Sequence, residues 1–268
     1  NAHSRFGLAA IAPVVVPVLS GMAMVILPGA PVDALAIGFV AGMAIQTAIL
    51  AAALRRNAMR GRPGWYGGLP ETRSLMRHAG PLIGNGVIFG GIPIIDAAMA
   101  ASLGDRQLAI LSYGNRLILP IMGVSSAALA TVVFPFFSRL VAEQNWLQVR
   151  GTLRTYSRLI VAVSVPGTLL IMALSPAIVR LLFERGAFSA ADTDAVSTVQ
   201  MILAAMIPFY ALGVLYSRAL VSLQKTHLML ISSGIVFVVN VVADYTLKGW
   251  IGVEGIAVAT VINYILQF

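Results

Sequence analysis

The sequence predicts an all-α, polytopic membrane protein of about eight transmembrane helices. Three observations carry this. First, 59% of the 268 residues are hydrophobic and only 10% are charged, with a mean hydropathy of +0.89. Soluble domains carry roughly a quarter charged residues, and 18 basic plus 10 acidic side chains cannot cover a soluble chain of this length. Second, the apolar residues gather in runs near the ~20 that a helix needs to cross a ~30 Å hydrocarbon core. Third, no run alternates polar and apolar residues throughout, as a barrel strand would. A water-soluble enzyme, a nucleic-acid module and a disordered chain are thereby excluded as first readings. The lack of cysteine excludes disulfides and thiolate metal sites.

The runs cover 8–28, 33–54, 79–102, 107–138, 157–183, 194–217, 228–247 and 251–268. The second contains Gly38 and Gly42, small residues four apart that let helices approach closely in lipid. Residues 55–78 are rich in Arg, Gly and Pro (Arg60-Gly61-Arg62-Pro63-Gly64) and read as a linker between two helix groups. The third run carries Gly90-Gly91-Ile92-Pro93 and then Asp96, and the fourth carries Arg116, Pro120 and Gly123. Ahead of the fifth, the Arg-rich stretch 139–158 reads either as a helix on the inner leaflet anchored by Trp146 or as a solvated connection. Asn240 and Asp244 fall in the seventh run and Thr260 in the eighth. The chain begins in a loop without an initiator Met and ends inside an apolar run, as expected of a fragment of a longer protein.

Eight spans make the connections alternate sides. One side collects Arg5, Arg55, Arg56, Arg60, Arg62, Arg73, Arg77, Arg139, Arg150, Arg154, Arg158, Arg218 and Lys225, which is 13 of the 18 basic residues. The other collects Arg106, Arg180, Arg185 and Lys248 among six acids. The positive-inside rule makes the first side, with residue 1 and the 55–78 loop, cytoplasmic. The net charge of +8 is then mostly topology, and nucleic acid is not needed to explain it.

Ionisable groups inside the membrane are costly and mark function by default. With a turn at Leu103-Gly104-Asp105-Arg106 and a rise of ~1.5 Å per residue, Asp96 lies ~12 Å and Arg116 ~15 Å below the surface. Either the two pair and hide both charges, or at least one faces a water-filled cavity. Gly90, Gly91 and Pro93 are expected to break the third span, and with Pro120 and Gly123 they form candidate hinges, because broken helices at this depth line transporter cavities. Asn240 and Thr260 come out near the depth of Asp96, with Asp244 shallower, toward the end at a Lys248-Gly249-Trp250 turn. Carboxylate, amide and hydroxyl oxygens suit a small hard cation, so Asp96, Asn240, Asp244 and Thr260 form a candidate Na⁺ or H⁺ site. The alternative is interhelical hydrogen bonding by Asn240 and Thr260, with Asp244 reaching the interface. No zinc-protease, nucleophile-elbow or Walker signature is present, and no organic cofactor is implied.

Several motifs, in order along the chain, resemble the bacterial lipid II flippase family (MurJ/MviN) of the MOP superfamily. They are Asp96 to Gly104, Leu111-Ser112-Tyr113-Gly114-Asn115-Arg116-Leu117, Thr131-Val132-Val133-Phe134-Pro135, and Phe183-Glu184-Arg185-Gly186-Ala187-Phe188 followed by Asp192-Thr193. Asn1 to Phe6, with Ala9-Ala10 and Pro13, is similar to the end of the family's fourth span and the start of its fifth. The resemblance implies two lobes of six helices around a central cavity. Residues 1–54 would hold the last two helices of the N-lobe, 55–78 the cytoplasmic linker and 79–268 the six helices of the C-lobe, the first four helices being absent. It also implies a non-enzymatic transporter of the bacterial inner membrane that flips lipid-linked peptidoglycan precursor by alternating access. Arg116 would bind the pyrophosphate, and cation coupling would give Asp96, Asn240 and Asp244 a role. Some members place a glutamate three residues after that arginine, where this chain has Leu119. A flippase for another lipid-linked oligosaccharide, a MATE-like cation/drug antiporter, and a non-transporting scaffold for cell-wall enzymes are the competing readings.

Overall fold

The computed structural model describes residues 12–27, 29–56 and 70–268. The Asn1 to Phe6 motif, Arg5, the start of the first run and the Arg60 to Gly64 segment lie outside them. Every regular element among the described residues is helical. A 3₁₀ turn at Ala12–Val14 leads into α1 (Val15–Ile26), followed by α2 (Pro31–Arg56), α3 (Pro70–Ala101), α4 (Asp105–Ala142) and α5 (Trp146–Phe183). Then come α6 (Ala190–Ala204), α7 (Ile207–Ser222), α8 (Thr226–Ile251) and α9 (Val253–Gln267). Six helical segments among the described residues are long and apolar enough to cross a membrane, with α6 and α7 counting as one. The first and eighth runs are represented by shorter apolar helices, Ala12–Ile26 and Val253–Gln267. The chain is a multi-pass membrane protein.

The chain divides into two compact units, Asn1–Tyr66 and Gly67–Phe268. In the first, α1 and α2 form an antiparallel hairpin whose contact is set by two glycines. A Cβ at Gly38 would fall 2.6 Å from the Ser20 Cα and 2.7 Å from the Leu19 carbonyl oxygen, and one at Gly42 2.7 Å from the Val16 Cα. Only hydrogen fits there, so the backbones meet at the spacing that small residues four apart permit.

In the second unit, α6–α7 is the central element. Of its apolar window 61% is buried, against 11–28% for the other spans. Val196, Val199 and Leu203 of α6 pack with Ile110, Ile118 and Met122 of α4, Val179 of α5 and Ile256 of α9. Large apolar side chains such as Leu181, Trp250 and Val87 point outward, as a lipid solvent allows. The apolar run 194–217 is interrupted at Ala205-Met206, and Pro208 sits in the first turn of α7, where its missing N–H costs no helical bond.

Three sequence expectations change. The 55–78 linker is shorter than expected, because α2 runs to Arg56 and α3 begins at Pro70. The stretch 139–158 is not a helix of its own: it is shared between the end of α4 and the start of α5, with Asn145 capping α5 by accepting from the Gln148 N–H at 3.1 Å. At 38 residues, α5 is ~57 Å long, so its Arg150–Arg154 end runs past a ~30 Å core. Lys248-Gly249-Trp250 stays helical, and the chain instead turns at Gly252, whose φ of +65° and ψ of −137° only glycine adopts freely.

Candidate functional site

Four polar residues from three helices meet in the apolar interior of the second unit. α3 supplies Asp96, α8 supplies Asn240 and Asp244 one turn apart, and α9 supplies Thr260. All are buried: Asp96 is 7% exposed, Asn240 and Asp244 0%, and Thr260 9%. The Asn240 Nδ2 donates to Asp96 Oδ1 at 3.1 Å, and the Thr260 hydroxyl lies 3.1 Å from Asp96 Oδ2. The same hydroxyl lies 2.9 Å from the Ile256 carbonyl oxygen. It has one proton for two acceptors. Donating to Ile256 leaves its lone pairs free for a cation; donating to Asp96 holds the carboxylate without one.

The Asp244 carboxyl sits beside that of Asp96, close enough for the two to interact. Neither of its oxygens has a well-formed hydrogen bond, and the Asn240 Oδ1 is also free. Two neighbouring carboxyls at this depth cannot both stay ionised without a positive charge between them. The unsatisfied atoms are therefore all oxygens: two from Asp244 and one from Asn240, next to those of Asp96. That donor set fits a small hard cation or a proton. No group of three or more acidic or imidazole side chains converges among the described residues. Asp244 does not reach the interface, as one sequence alternative had it. Lys248, one turn beyond it, closes that end of the cluster by donating to Ser102 Oγ at 3.0 Å.

Asp96 and Arg116 do not pair. Asp96 faces α8 and α9, whereas the Arg116 guanidinium lies 4.5 Å over the ring of Tyr113 on its own helix. The two residues line different cavities. Asp96 and Thr260 border one of about 340 Å³ between α3, α4 and α9. Arg116 borders one of about 550 Å³ with Arg106, Arg185, Asp192 and the rings of Tyr113 and Phe188. Consecutive residues ~100° apart around α4 serve the two cavities: Asn115 lines the first and Arg116 the second. Arg116 is exposed and makes no hydrogen bond or ion pair with another described residue.

The rim of the larger cavity is tied. Arg106 donates to Asp192 Oδ1 through Nε (3.2 Å) and Nη2 (2.9 Å), while Asp192 completes a capping box with Ser189. The Thr193 hydroxyl donates to Glu184 Oε2 at 2.7 Å. That bond, with Arg180 beside it and against the opposing effect of burial, holds the Glu184 carboxyl below the ordinary glutamate range. The candidate hinge residues Gly90, Gly91 and Pro93 lie in an uninterrupted α3, and Pro120 and Gly123 in an uninterrupted α4, so the expected break in the third span is not there. Each proline still removes the N–H that would bond four residues back, which frees the Phe89 and Arg116 carbonyls. Asn263, Asn115 and Ser112 also line the smaller cavity and are absent from the set read from the sequence. The three-residue spacing of Asn263 from Thr260, which puts both on one face of α9, is the signal that marks it.

A buried oxygen cluster and an unpaired arginine on a cavity wall, both carried by membrane-spanning helices, are features that transporter folds use. The fold agrees. The chain superposes on a solved lipid II flippase MurJ in an inward closed conformation with a TM-score of 0.74, at 20% identity, covering 99% of this chain and 55% of that one. On a Vibrio cholerae MATE transporter the TM-score is 0.75 at 15% identity, covering 97% and 58%. A further match is to a MATE transporter of the MOP superfamily in an outward-facing conformation, with a TM-score of 0.65 at 14% identity, covering 77% and 46%. The family model described as lipid II flippase MurJ matches residues 1–268, and the chain belongs to that family. Among its relatives, the probable lipid II flippase MurJ of Rhizobium meliloti is 27% identical over 98% of this chain and 50% of its own length. The one from Vibrio cholerae is 26% identical over 88% and 45%. The chain spans about half the length of the curated relatives it matches.

Proposed function

We propose that the whole protein carries lipid II, a polyprenyl-pyrophosphate-linked peptidoglycan precursor, from the inner to the outer leaflet of a bacterial inner membrane by alternating access. It acts as a transporter and not as an enzyme, with residue 1 and the 55–78 connection on the cytoplasmic side. Arg116 is the observation that carries this reading. It lies ~17 Å along α4 from Asp105, near the middle of a ~30 Å core. It is exposed on a cavity wall and has no carboxylate partner among the described residues. A pyrophosphate-sugar head group cannot cross hydrocarbon unaided. A guanidinium fork at mid-depth grips phosphate oxygens in two places and lowers that barrier. Family membership over residues 1–268 supports the same substrate class.

The Asp96–Asn240–Asp244–Thr260 cluster is the coupling site in this reading, for Na⁺ or H⁺. A cation bound there joins α3, α8 and α9, and so favours the access state in which those helices are closest. Gly90, Gly91, Pro93, Pro120 and Gly123 are where α3 and α4 bend between states. A second reading, a cation/drug antiporter, draws on the equally good superposition on a MATE transporter, since the fold alone does not separate the two. Substituting Arg116→Ala in the full-length protein decides between them. Loss of complementation in a flippase-depleted strain at normal expression is the expected result; normal growth would remove Arg116 and the pyrophosphate reading together.

A further inference from the structure

We propose that the cavity between α3, α4 and α9 is the hydrated port through which the coupling cation reaches and leaves the Asp96 cluster, with Asn263 guiding it. This rests on the cation reading above. Asn263 is 2% exposed, and neither its amide oxygen nor its nitrogen has a hydrogen-bond partner. A buried carboxamide carries two donors and an acceptor, and leaving all of them unmet is costly. Asn263 lines the cavity with both amide atoms closed off from it in this conformation, and a turn of the side chain presents them to what fills the space. At about 340 Å³ the space holds about ten waters at ~30 Å³ each, enough for a cation with most of its first hydration shell.

Polar groups are spread over the cavity walls. Ser112 is exposed and Leu119 is 58% exposed at the mouth. Asn115 follows on α4, using its Nδ2 on the Leu111 carbonyl at 3.2 Å, which leaves its amide oxygen as an acceptor. Asn263 and Thr260, ~4.5 Å apart along α9, share the cavity wall with Asp96. A cation on this path exchanges its waters stepwise for neutral oxygens before it meets the carboxylates. The opposite approach is blocked electrostatically, because the Lys248 ammonium stands one turn beyond Asp244 and is fastened to Ser102. Gln200, also buried with both amide atoms unpartnered, borders neither of these two cavities and has no such part.

The test measures ²²Na⁺ binding and exchange by the full-length protein in detergent, with choline replacing sodium at constant ionic strength. Asn263→Leu, of similar shape but without polar atoms, is expected to slow both association and dissociation at least tenfold while changing Kd less than threefold. Asn263→Ser, which puts a hydroxyl oxygen in place of the amide and leaves room, should exchange at the wild-type rate. Asn115→Leu removes the polar atoms of the opposite wall and should slow exchange in the same way, so it answers the question if Asn263→Leu does not fold. Wild-type exchange rates in the leucine variants, with binding abolished by Asp244→Asn, would overturn the port and leave the cation site standing. Sodium binding that survives Asp244→Asn would overturn the cation reading and the port with it.

Discussion

Replacing Asp244 by asparagine keeps the side-chain shape and removes one negative charge from a fully buried group whose oxygens have no well-formed hydrogen bond. Its carboxyl neighbours that of Asp96, and like charges ~4 Å apart repel by ~4 kcal/mol at an effective dielectric of ~20. The cation-free protein therefore gains or holds stability on substitution, because asparagine resembles the protonated acid. The cation-bound protein loses a charged ligand. Sodium at a hundred times its Kd stabilises a single-site protein by about 2.7 kcal/mol. At roughly 2–4 °C per kcal/mol for a unit of this size, the wild type should gain about 5–11 °C in melting temperature on going from choline to sodium. Asp244→Asn should gain nothing and melt in choline no lower than the wild type. Differential scanning fluorimetry on the full-length protein reads both numbers. A full sodium shift in the variant would refute the site. A melting temperature in choline several degrees below the wild type would refute the claim that Asp244 is an unsatisfied buried carboxyl.

Other outcomes follow from single contacts. Gly38→Ala puts a methyl group within 2.6 Å of the Ser20 Cα, and backbone cannot move aside as a side chain can. We expect about 1–3 kcal/mol of destabilisation, localised to the α1–α2 hairpin in hydrogen exchange. Glu184 is held below the ordinary glutamate range chiefly by the Thr193 hydroxyl, so its contribution is present above the unfolded value and lost as pH falls through the lowered folded one. Exchange protection around residues 183–193 should decline over that acidic window, and Thr193→Val should weaken the pH dependence, leaving the part due to Arg180. Arg116→Lys keeps the charge but not the fork, so it should complement flippase depletion less well than the wild type and better than alanine.

Much of the architecture was legible in the sequence because the hydrophobic content of a span is a local property. Runs of ~20 apolar residues fix where helices cross whatever they pack against. Boundaries were less legible. The ends of α3 and α5 lie in polar, Arg-containing sequence that hydropathy reads as loop, and helix propensity with the Asn145 cap extends α5 through it. The turn between α8 and α9 moved to Gly252 because a left-handed backbone requirement, invisible to hydropathy, outweighs a charged tripeptide. The interruption at Ala205-Met206 inside one apolar run had no compositional signal beyond Pro208.

The sequence by itself determined that charges at membrane depth are few, and which residues they are. Spacing along each helix gave their depths, since rise per residue is constant. It left open which of them meet, because lateral neighbours depend on how each helix is rotated and packed. Tertiary structure decided that Asp96 turns to Asn240 and Thr260 rather than to Arg116, although both partners were at suitable depth. Asn115 and Arg116, adjacent in sequence and ~100° apart around α4, were sent to different cavities. The packing of α4 against the buried α6 sets that rotation. It leaves one oxygen cluster for a cation and one unpaired guanidinium for an anion.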